Sequence, residues 1–197
     1  MKKLAIFASG GGTNAQKIIE YFYRDKQVEV SLIVSNKPNA YVITRAKNNN
    51  IPTFLIDRES FYENRDIGGE LRKYNIDYII LAGFLWLIPE YLIDLYPDKI
   101  INIHPALLPK YGGKGMYGIH VHRAVRENNE PFSGISIHYV NQKYDEGELI
   151  FQASTKINAT DSPYEIAEKV QKLEHKYFPM VIEAIVKKTK LEIKNQD

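Results

Sequence analysis

Short runs of apolar residues alternate with segments of helical periodicity through the first half of the chain. Apolar runs bounded by turn residues predict buried strands, and apolar positions that recur every three to four residues predict helices. Strands are expected at residues 4–8, 28–34, 52–56, 76–82 and 100–103. Helices are expected between them at residues 14–23, 40–49 and 65–74. This β-α-β-α order predicts a Rossmann-like amino-terminal half, with helices on both faces of a mostly parallel sheet.

The pattern changes after residue 104, where prolines and glycines concentrate and predict a long loop. Beyond the loop we expect a helix at 118–128, strands at 135–140 and 149–157, and a long helix at 163–187. Ser162 or Asp161 would cap that helix and Pro179 would kink it, and residues 194–197 would fray. The whole pattern predicts a doubly wound α/β fold, with an antiparallel strand near the C-terminal part of the sheet.

Length and composition are those of a globular protein. The chain has 197 residues, of which 44% are hydrophobic and 25% are charged, so it can bury a normal core. We therefore expect a single domain over residues 1–197, with a phosphate-binding half at about 1–100 and a catalytic half at about 101–190.

Charge and residue types exclude several classes of protein. The net charge of +2 does not indicate a nucleic-acid partner, and the lack of cysteine excludes disulfides and cysteine-based zinc sites. No metal-binding motif is present, so no metal is expected. The apolar start of the chain is too short for a signal peptide, and no apolar stretch approaches the ~20 residues of a membrane span. We expect a cytoplasmic protein that contacts no membrane.

One predicted strand carries two polar residues at its end. Asn102 and His104 follow an apolar run and stand two positions apart, so their side chains should project from the same face. In open α/β sheets, ligands bind at the carboxyl ends of the strands. An amide beside a titratable ring suits chemistry at a carbonyl group.

A glycine loop at residues 9–14 joins the first strand to the first helix. It is not a Walker loop, because no lysine follows the last glycine, and it does not have the G-x-G-x-x-G spacing of a dinucleotide site. Glycines allow a close approach of an anion to the backbone, and a helix amino terminus favours negative charge. The loop therefore indicates a single phosphomonoester rather than a nicotinamide cofactor, with a tight strand-to-helix turn as the alternative.

Residues 82–89 have two interpretations. They form either an apolar slot for a flat heteroaromatic ring or an ordinary loop that packs Phe84 and Trp86 into the core, and the residues alone favour the loop.

The acidic turn at residues 141–147 has two interpretations as well. Asp145 is either a turn residue or a carboxylate that folds back towards His104 and raises the pKa of the imidazole. Among the other histidines, His120 and His122 are expected at the surface, and His138 is expected to support the site through hydrogen bonds.

Together these motifs resemble the phosphoribosylglycinamide formyltransferase family of folate-dependent enzymes. The similar segments follow in order along nearly the whole chain, at residues 9–14, 35–37, 81–84, 101–109, 136–138, 145–147 and 171–175. The resemblance implies that 10-formyltetrahydrofolate is the co-substrate and phosphoribosylglycinamide the acceptor, so the catalytic half would also bind folate. The partners would be these small molecules, with the protein acting as a monomer or homodimer.

The resemblance also implies roles for individual residues. Asn102 would hydrogen-bond the formyl oxygen, His104 would donate a proton and stabilise the oxyanion, and Asp145 would raise the pKa of the histidine. The acceptor would bind to Gly12, Thr13, Asn14, Gln171 and Glu174. The folate would contact Arg65, largely the main chain at Leu85, Trp86, Leu87 and Ile88, and also Asn102, Asn141 and Tyr144.

The chain departs from the family pattern at two places. Trp86 stands where an arginine is expected, and the loop at residues 110–118 is longer than the compact form. The glycines of that loop indicate either a mobile flap near the reacting centre or a surface insertion.

A tight turn after the catalytic strand also predicts a cis peptide bond between Leu108 and Pro109.

Two other functions stay open. A formyltransferase acting on an amino sugar nucleotide would share Asn102, His104 and Asp145, but the glycine loop suits a monophosphate and no added domain is expected. A non-catalytic module that binds a phosphate ligand would explain the glycine loop, but it leaves these three side chains without a purpose.

Overall fold

The computed structural model describes residues 1–191 and contains a sheet of seven strands. The strands are Lys2–Phe7 (β1), Val28–Ser35 (β2), Thr53–Leu55 (β3), Tyr78–Leu81 (β4), Ile100–His104 (β5), Phe132–Tyr139 (β6) and Leu149–Lys156 (β7). Their order across the sheet is β3-β2-β1-β4-β5-β6-β7. The first five strands are parallel, whereas β6 is antiparallel to β5 and to β7. The predicted fold class is confirmed.

Helices connect most of these strands. They are Thr13–Phe22 (α1), Tyr41–Asn48 (α2), Asp66–Lys73 (α3), Glu90–Leu95 (α4), Ile119–Glu127 (α5) and Pro163–Lys187 (α6), and a π-helical turn occupies Glu59–Glu63. Neither α4 nor the π-helical turn was expected, because elements of five or six residues are too short to establish a periodic pattern. The expectation that residues 194–197 fray lies outside the described residues.

The long helix α6 begins where the cap was expected. The Ser162 side chain accepts a hydrogen bond from the backbone N–H of Glu165, and the Glu165 carboxylate accepts one from the backbone N–H of Ser162. This reciprocal pair satisfies two amide groups that the first helical turn cannot use. Ser162 is therefore the cap rather than Asp161, and the helix continues through Pro179 as one element.

Both faces of the sheet are covered by helices. Alternate residues of β1 point to opposite faces, so Leu4 and Ile6 belong to one buried cluster and Ala5 and Phe7 to the other. The first cluster includes apolar side chains of α1, α2, α5 and α6, and the second includes those of α3, α4 and the π-helical turn. Along residues 1–191 no helix combines the length and hydropathy needed to cross a bilayer.

The strand order places the candidate site. The chain leaves β1 towards α1 on one face of the sheet, and it leaves β4 towards α4 on the other face. Where neighbouring parallel strands send their connections to opposite faces, the loops separate and leave a crevice. Two contacts join the loops at this point: the N–H of Ser9 donates to the carbonyl of Gly83 at 3.0 Å, and the N–H of Leu85 donates to Ser9 Oγ at 3.0 Å.

Candidate active site

The crevice opens into a pocket of about 800 Å³. Its walls come from the glycine loop, the ends of β4 and β5, the loop that follows β5, the acidic turn and helix α6. Residues near both ends of the chain therefore line the same pocket. Its size suits a ligand of several rings or two smaller ligands side by side.

Asn102 and His104 lie on β5 at the pocket, as the two-residue spacing predicts. They pair across the sheet with His138 and Ser136 of the antiparallel strand β6. His104 is buried, with only 4% of its surface exposed, and Asn102 is half-buried. The sheet therefore holds the amide and the imidazole rigidly beside one another.

Asp145 reaches these two side chains from the acidic turn. Its Oδ2 lies 3.4 Å from Nδ1 of His104 and accepts a hydrogen bond from the N–H of Gly113 at 2.9 Å. Its Oδ1 accepts a hydrogen bond from Nδ2 of Asn102 at 3.3 Å. Asp145 has a φ of +57°, which is typical of a turn residue. It is thus both a turn residue and a partner of the imidazole.

The second nitrogen of His104 is held by the loop after β5. His104 Nε2 lies 2.7 Å from the carbonyl oxygen of Tyr111, and because a carbonyl only accepts, Nε2 carries a proton. Tyr111 adopts a left-handed backbone with a φ of +58°, and its hydroxyl donates to Glu130 at 2.9 Å. The peptide bond between Leu108 and Pro109 is cis, as predicted. This loop leaves Nδ1 as the nitrogen that faces Asp145.

The ionisation of the pair follows from burial and charge. Burial lowers the pKa of His104, and the carboxylate of Asp145 and the carbonyl of Tyr111 raise it without cancelling the effect of burial. Burial alone would raise the pKa of Asp145, but His138, His104 and the N–H of Gly113 hold it below its usual value. Asp145 thus raises the pKa of His104, which is the direction expected from the sequence, but burial keeps that pKa below its ordinary value.

His138 fixes the orientation of Asn102. Its Nδ1 donates to the carbonyl of Tyr139 at 2.7 Å, so in the neutral ring Nε2 accepts a hydrogen bond from Nδ2 of Asn102 at 3.0 Å. The same Nε2 lies 3.6 Å from Oδ1 of Asp145, where a protonated ring would favour the carboxylate. The supporting role expected for His138 is present. Both amide protons of Asn102 are then engaged, one with His138 and the other with Asp145.

The glycine loop is held against helix α2. The N–H of Val42 donates to the carbonyl of Gly10 at 3.2 Å, and Nε of Arg45 donates to the carbonyl of Gly11 at 2.8 Å. Gly12 has a φ of +67°, and a Cβ added there would lie 2.6 Å from the Val42 side chain. These contacts engage the loop carbonyls and explain why position 12 is a glycine.

Four polar side chains connect the glycine loop to α6. Nδ2 of Asn14 donates to Oε2 of Glu174 at 2.9 Å, and Nε2 of Gln171 donates to Oγ1 of Thr13 at 3.4 Å. All four residues line the pocket beside Gly12. Burial raises the pKa of Glu174, which favours its neutral form. The structure thus brings together all five residues expected to bind the acceptor.

The residues expected to bind folate divide into two groups. Leu85 and Tyr144 line the pocket beside Asn102. The remaining five, which do not line it, are Arg65, Trp86, Leu87, Ile88 and Asn141.

Each of the five has other contacts. The guanidinium of Arg65 lies over the ring of Tyr91, and the carbonyl of Leu87 accepts a hydrogen bond from the Tyr62 hydroxyl at 2.9 Å. Ile88 is buried in the core, and the side chain of Asn141 binds backbone groups of the acidic turn. Trp86 packs against the rings of three neighbours, Phe61, Tyr62 and Phe84. Trp86 packs against the core, whereas Phe84 belongs to the core and also lines the pocket.

His122 was wrongly expected at the surface. It is 5% exposed, it lines the pocket from α5, and burial lowers its pKa to about 4. Its Nδ1 has no hydrogen-bond partner among residues 1–191. The signal was present in the sequence, because His122 stands three residues before the buried Val125 on the same helix face. His120 is exposed, as expected.

The loop at residues 110–118 lies at the site rather than away from it. Gly113 to Gly118 line the pocket, and Gly113 donates to Asp145. No group of three or more histidine or acidic side chains in the described part of the chain is arranged to hold a metal ion.

Comparison with known proteins identifies the class of enzyme to which this fold and site belong. A model of the formyl transferase family matches residues 2–182, so the chain belongs to this family. The predicted family resemblance is therefore confirmed.

More particular similarities are to phosphoribosylglycinamide formyltransferases. The Bacillus subtilis enzyme of that name is 37% identical over 94% of this chain and 95% of its own length. The chloroplastic enzyme of Arabidopsis thaliana is 42% identical over 93% of this chain, which spans 65% of that relative. A crystal structure of glycinamide ribonucleotide transformylase 1 from Geobacillus kaustophilus has a TM-score of 0.85, with 34% identity and coverage of 94% of this chain and 99% of that one.

Proposed function

We propose that the protein transfers the formyl group of 10-formyltetrahydrofolate to the amine of 5′-phosphoribosylglycinamide. The products are formylglycinamide ribonucleotide and tetrahydrofolate, in the de novo synthesis of purines. The observation that carries this proposal is the cluster of Asn102, His104 and Asp145 in the same pocket as the glycine loop. Membership of the formyl transferase family and relatives of this name support it.

The acceptor would bind between the glycine loop and α6. Its phosphate would lie at Gly12, Thr13 and Asn14, where the amino terminus of α1 favours an anion. Gln171 and Glu174, one helical turn apart and both at the pocket, would hydrogen-bond the ribose and glycinamide portions. This placement directs the free amine of the acceptor towards the end of β5.

The folate would bind beside the end of β4. Leu85 and Tyr144 line this side of the pocket and offer apolar surface for a pterin ring. The carbonyl of Leu87 accepts one hydrogen bond from the Tyr62 hydroxyl, and its second lone pair stays available to a donor of the folate. The contacts expected at Trp86 and Ile88 are with the main chain, so burial of these side chains leaves them possible. The side chains of Arg65 and Asn141 would have to leave their present partners to contact folate.

The reaction moves one proton and one formyl group. The amine attacks the formyl carbon and forms a tetrahedral intermediate, and the carbon–N10 bond of the folate then breaks. The amine loses a proton and N10 gains one, so the site must carry a proton between them. His104 Nδ1 and the Asp145 carboxylate, 3.4 Å apart, form the pair that would do so.

Stabilisation of the oxyanion would come from two donors. The protonated His104 would offer Nδ1–H, and Asn102 would offer one amide proton to the formyl oxygen. Both protons of Asn102 are engaged, and the contact with Asp145 at 3.3 Å is longer than that with His138 at 3.0 Å. We therefore expect the Asp145 contact to be the one that Asn102 exchanges for the substrate.

The direct test is incubation of purified protein with 10-formyltetrahydrofolate and phosphoribosylglycinamide, following the absorbance of the folate. We expect turnover with this acceptor, and no turnover with an amino sugar nucleotide. Wild-type protein that binds phosphoribosylglycinamide without turnover would instead support a non-catalytic binding module. Turnover with the amino sugar nucleotide alone would reassign the acceptor.

A further inference from the structure

The loop after β5 carries one cation into the pocket. Among residues 1–191, Lys114 is the only lysine or arginine that lines the pocket. It is exposed, and within the described residues its ammonium group forms no ion pair, in contrast to Lys110 on the same loop, which binds Glu130 at 2.7 Å. The charge of Lys114 is therefore available to a ligand.

The backbone around Lys114 is suited to movement. Gly113 and Gly115 flank it with φ values of +93° and +91°, which few residues other than glycine adopt. A Cβ added at either glycine would meet no atom within 4 Å, so no side chain packs on these two positions, and the N–H of Gly113 keeps its hydrogen bond to Asp145 at 2.9 Å. Small changes of backbone angle at two glycines would reposition the lysine side chain.

The other charged groups of the pocket cannot neutralise a phosphate. Asp145 is anionic and engaged with His104, Asn102 and Gly113, and burial favours the neutral form of Glu174. His104 and His122 both have lowered pKa values, so neither favours a positive charge when the site is free of ligand. Arg45 binds the carbonyl of Gly11 without lining the pocket.

A phosphomonoester carries about −1.5 to −2 charges at neutral pH. The glycine loop offers N–H groups and the helix dipole, which amount to about half of one positive charge. We propose that Lys114 supplies the remaining charge by binding the phosphate of the acceptor, with the two glycines allowing the loop to close on it. The identity of the acceptor rests on the proposed function, whereas the phosphate chemistry rests on the pocket itself.

The test compares Lys114→Met with Lys172→Met. Methionine keeps an unbranched side chain of similar length and removes the charge, and Lys172 is an exposed lysine beside Gln171 that does not line the pocket. Titration calorimetry with ribose 5-phosphate would measure phosphate binding without any turnover. We expect Lys114→Met to weaken binding by roughly tenfold to a hundredfold, as for loss of a hydrogen bond to a charged group, and Lys172→Met to change it less than threefold.

A second ligand separates this inference from the proposed function. Phosphoribosylglycinamide should show the same loss of affinity in Lys114→Met, and the same compound without its phosphate should bind the variant and the wild type equally. Equal affinity of wild type and Lys114→Met for ribose 5-phosphate would overturn the inference, as would absence of binding by the wild type. Loss of binding in Lys114→Met, together with no formyl transfer by the wild type, would support phosphate binding by Lys114 and contradict the proposed formyl transfer.

Discussion

Nε2 of His104 donates to the main-chain carbonyl of Tyr111 across 2.7 Å. This contact assigns the tautomer, because the nitrogen that faces a carbonyl must carry a proton. Nδ1 is thus the nitrogen that gains or loses a proton, and it is the one beside Asp145. The carbonyl of Tyr111, seven residues after His104, therefore determines which ring nitrogen can exchange a proton.

Replacing His104 by alanine should abolish most of the turnover. Loss of a general acid that also stabilises an oxyanion lowers rates by about a hundredfold to ten-thousandfold. Binding of phosphoribosylglycinamide should persist, because the residues proposed to hold it, Gly12 to Asn14, are supported by α6 and not by the ring. Steady-state rates and calorimetry together measure both effects. His120→Ala, at an exposed position on α5, is the control, and near-wild-type rates in folded His104→Ala would remove the ring from the mechanism.

Asp145→Asn should lower the pKa of His104 further. The carboxylate raises that pKa through its charge, so its neutral replacement leaves the effect of burial less opposed. The imidazolium then forms only at lower pH, so the alkaline limb of the pH–rate profile, where the protonated ring is lost, moves to lower pH. NMR titration of the His104 ring measures the shift directly. Asp94→Asn removes the same charge from an exposed position, and an equal shift there would contradict a local effect.

Tyr111→Phe should weaken the support of His104 without unfolding the protein. The hydroxyl of Tyr111 donates to Glu130 at 2.9 Å, and its loss releases the side chain that holds the left-handed backbone. We expect turnover to fall roughly threefold to tenfold, as for one hydrogen bond. The NMR signal of His104 Nε2–H should exchange faster with water. Tyr23→Phe, at an exposed position, should change neither quantity.

His122 should make the protein sensitive to acid. Its pKa is about 4 in the folded state and about 6.5 in the unfolded chain, so between these values the unfolded chain binds more protons. Its contribution to stability is complete above about pH 6.5 and is lost as pH falls towards 4, with an upper limit on the order of 3 kcal/mol.

Urea unfolding of wild type and His122→Gln across this pH range tests the assignment. On acidification, the free energy of unfolding should fall less in His122→Gln than in the wild type. In the control His120→Gln it should fall as much as in the wild type. Parallel pH curves for wild type and His122→Gln would show that the buried ring is not the origin of the effect.

The sequence predicts those parts of the site that depend on local spacing. The two-residue interval between Asn102 and His104 fixes a common strand face, and the glycines before α1 fix a loop at a helix amino terminus. Asp145 is different, because it lies 41 residues after His104 and its approach depends on how β6 and the acidic turn fold back. No pattern of residues within a single strand or helix predicts that Asp145 approaches His104.

The sequence also does not predict which backbone groups bind His104 and Asp145. Any residue type has a carbonyl and, except for proline, an N–H group, so Tyr111 and Gly113 carry no signal of their contacts with His104 and Asp145. The side chains on the folate side of the pocket show a related limit. Trp86 and Ile88 follow the same β4 end as Leu85, yet their apolar side chains gain more from packing into the core than from facing the pocket.

The hydrogen bond between Asn14 and Glu174 spans 160 residues of sequence. Because the glycine loop precedes α6 along the chain, it leaves the ribosome first, so one wall of the pocket exists before the other. Because such distant contacts form only after most of the chain has been ordered, the pocket completes late in folding. A growing chain would therefore carry the glycine loop through translation before α6 can complete the pocket.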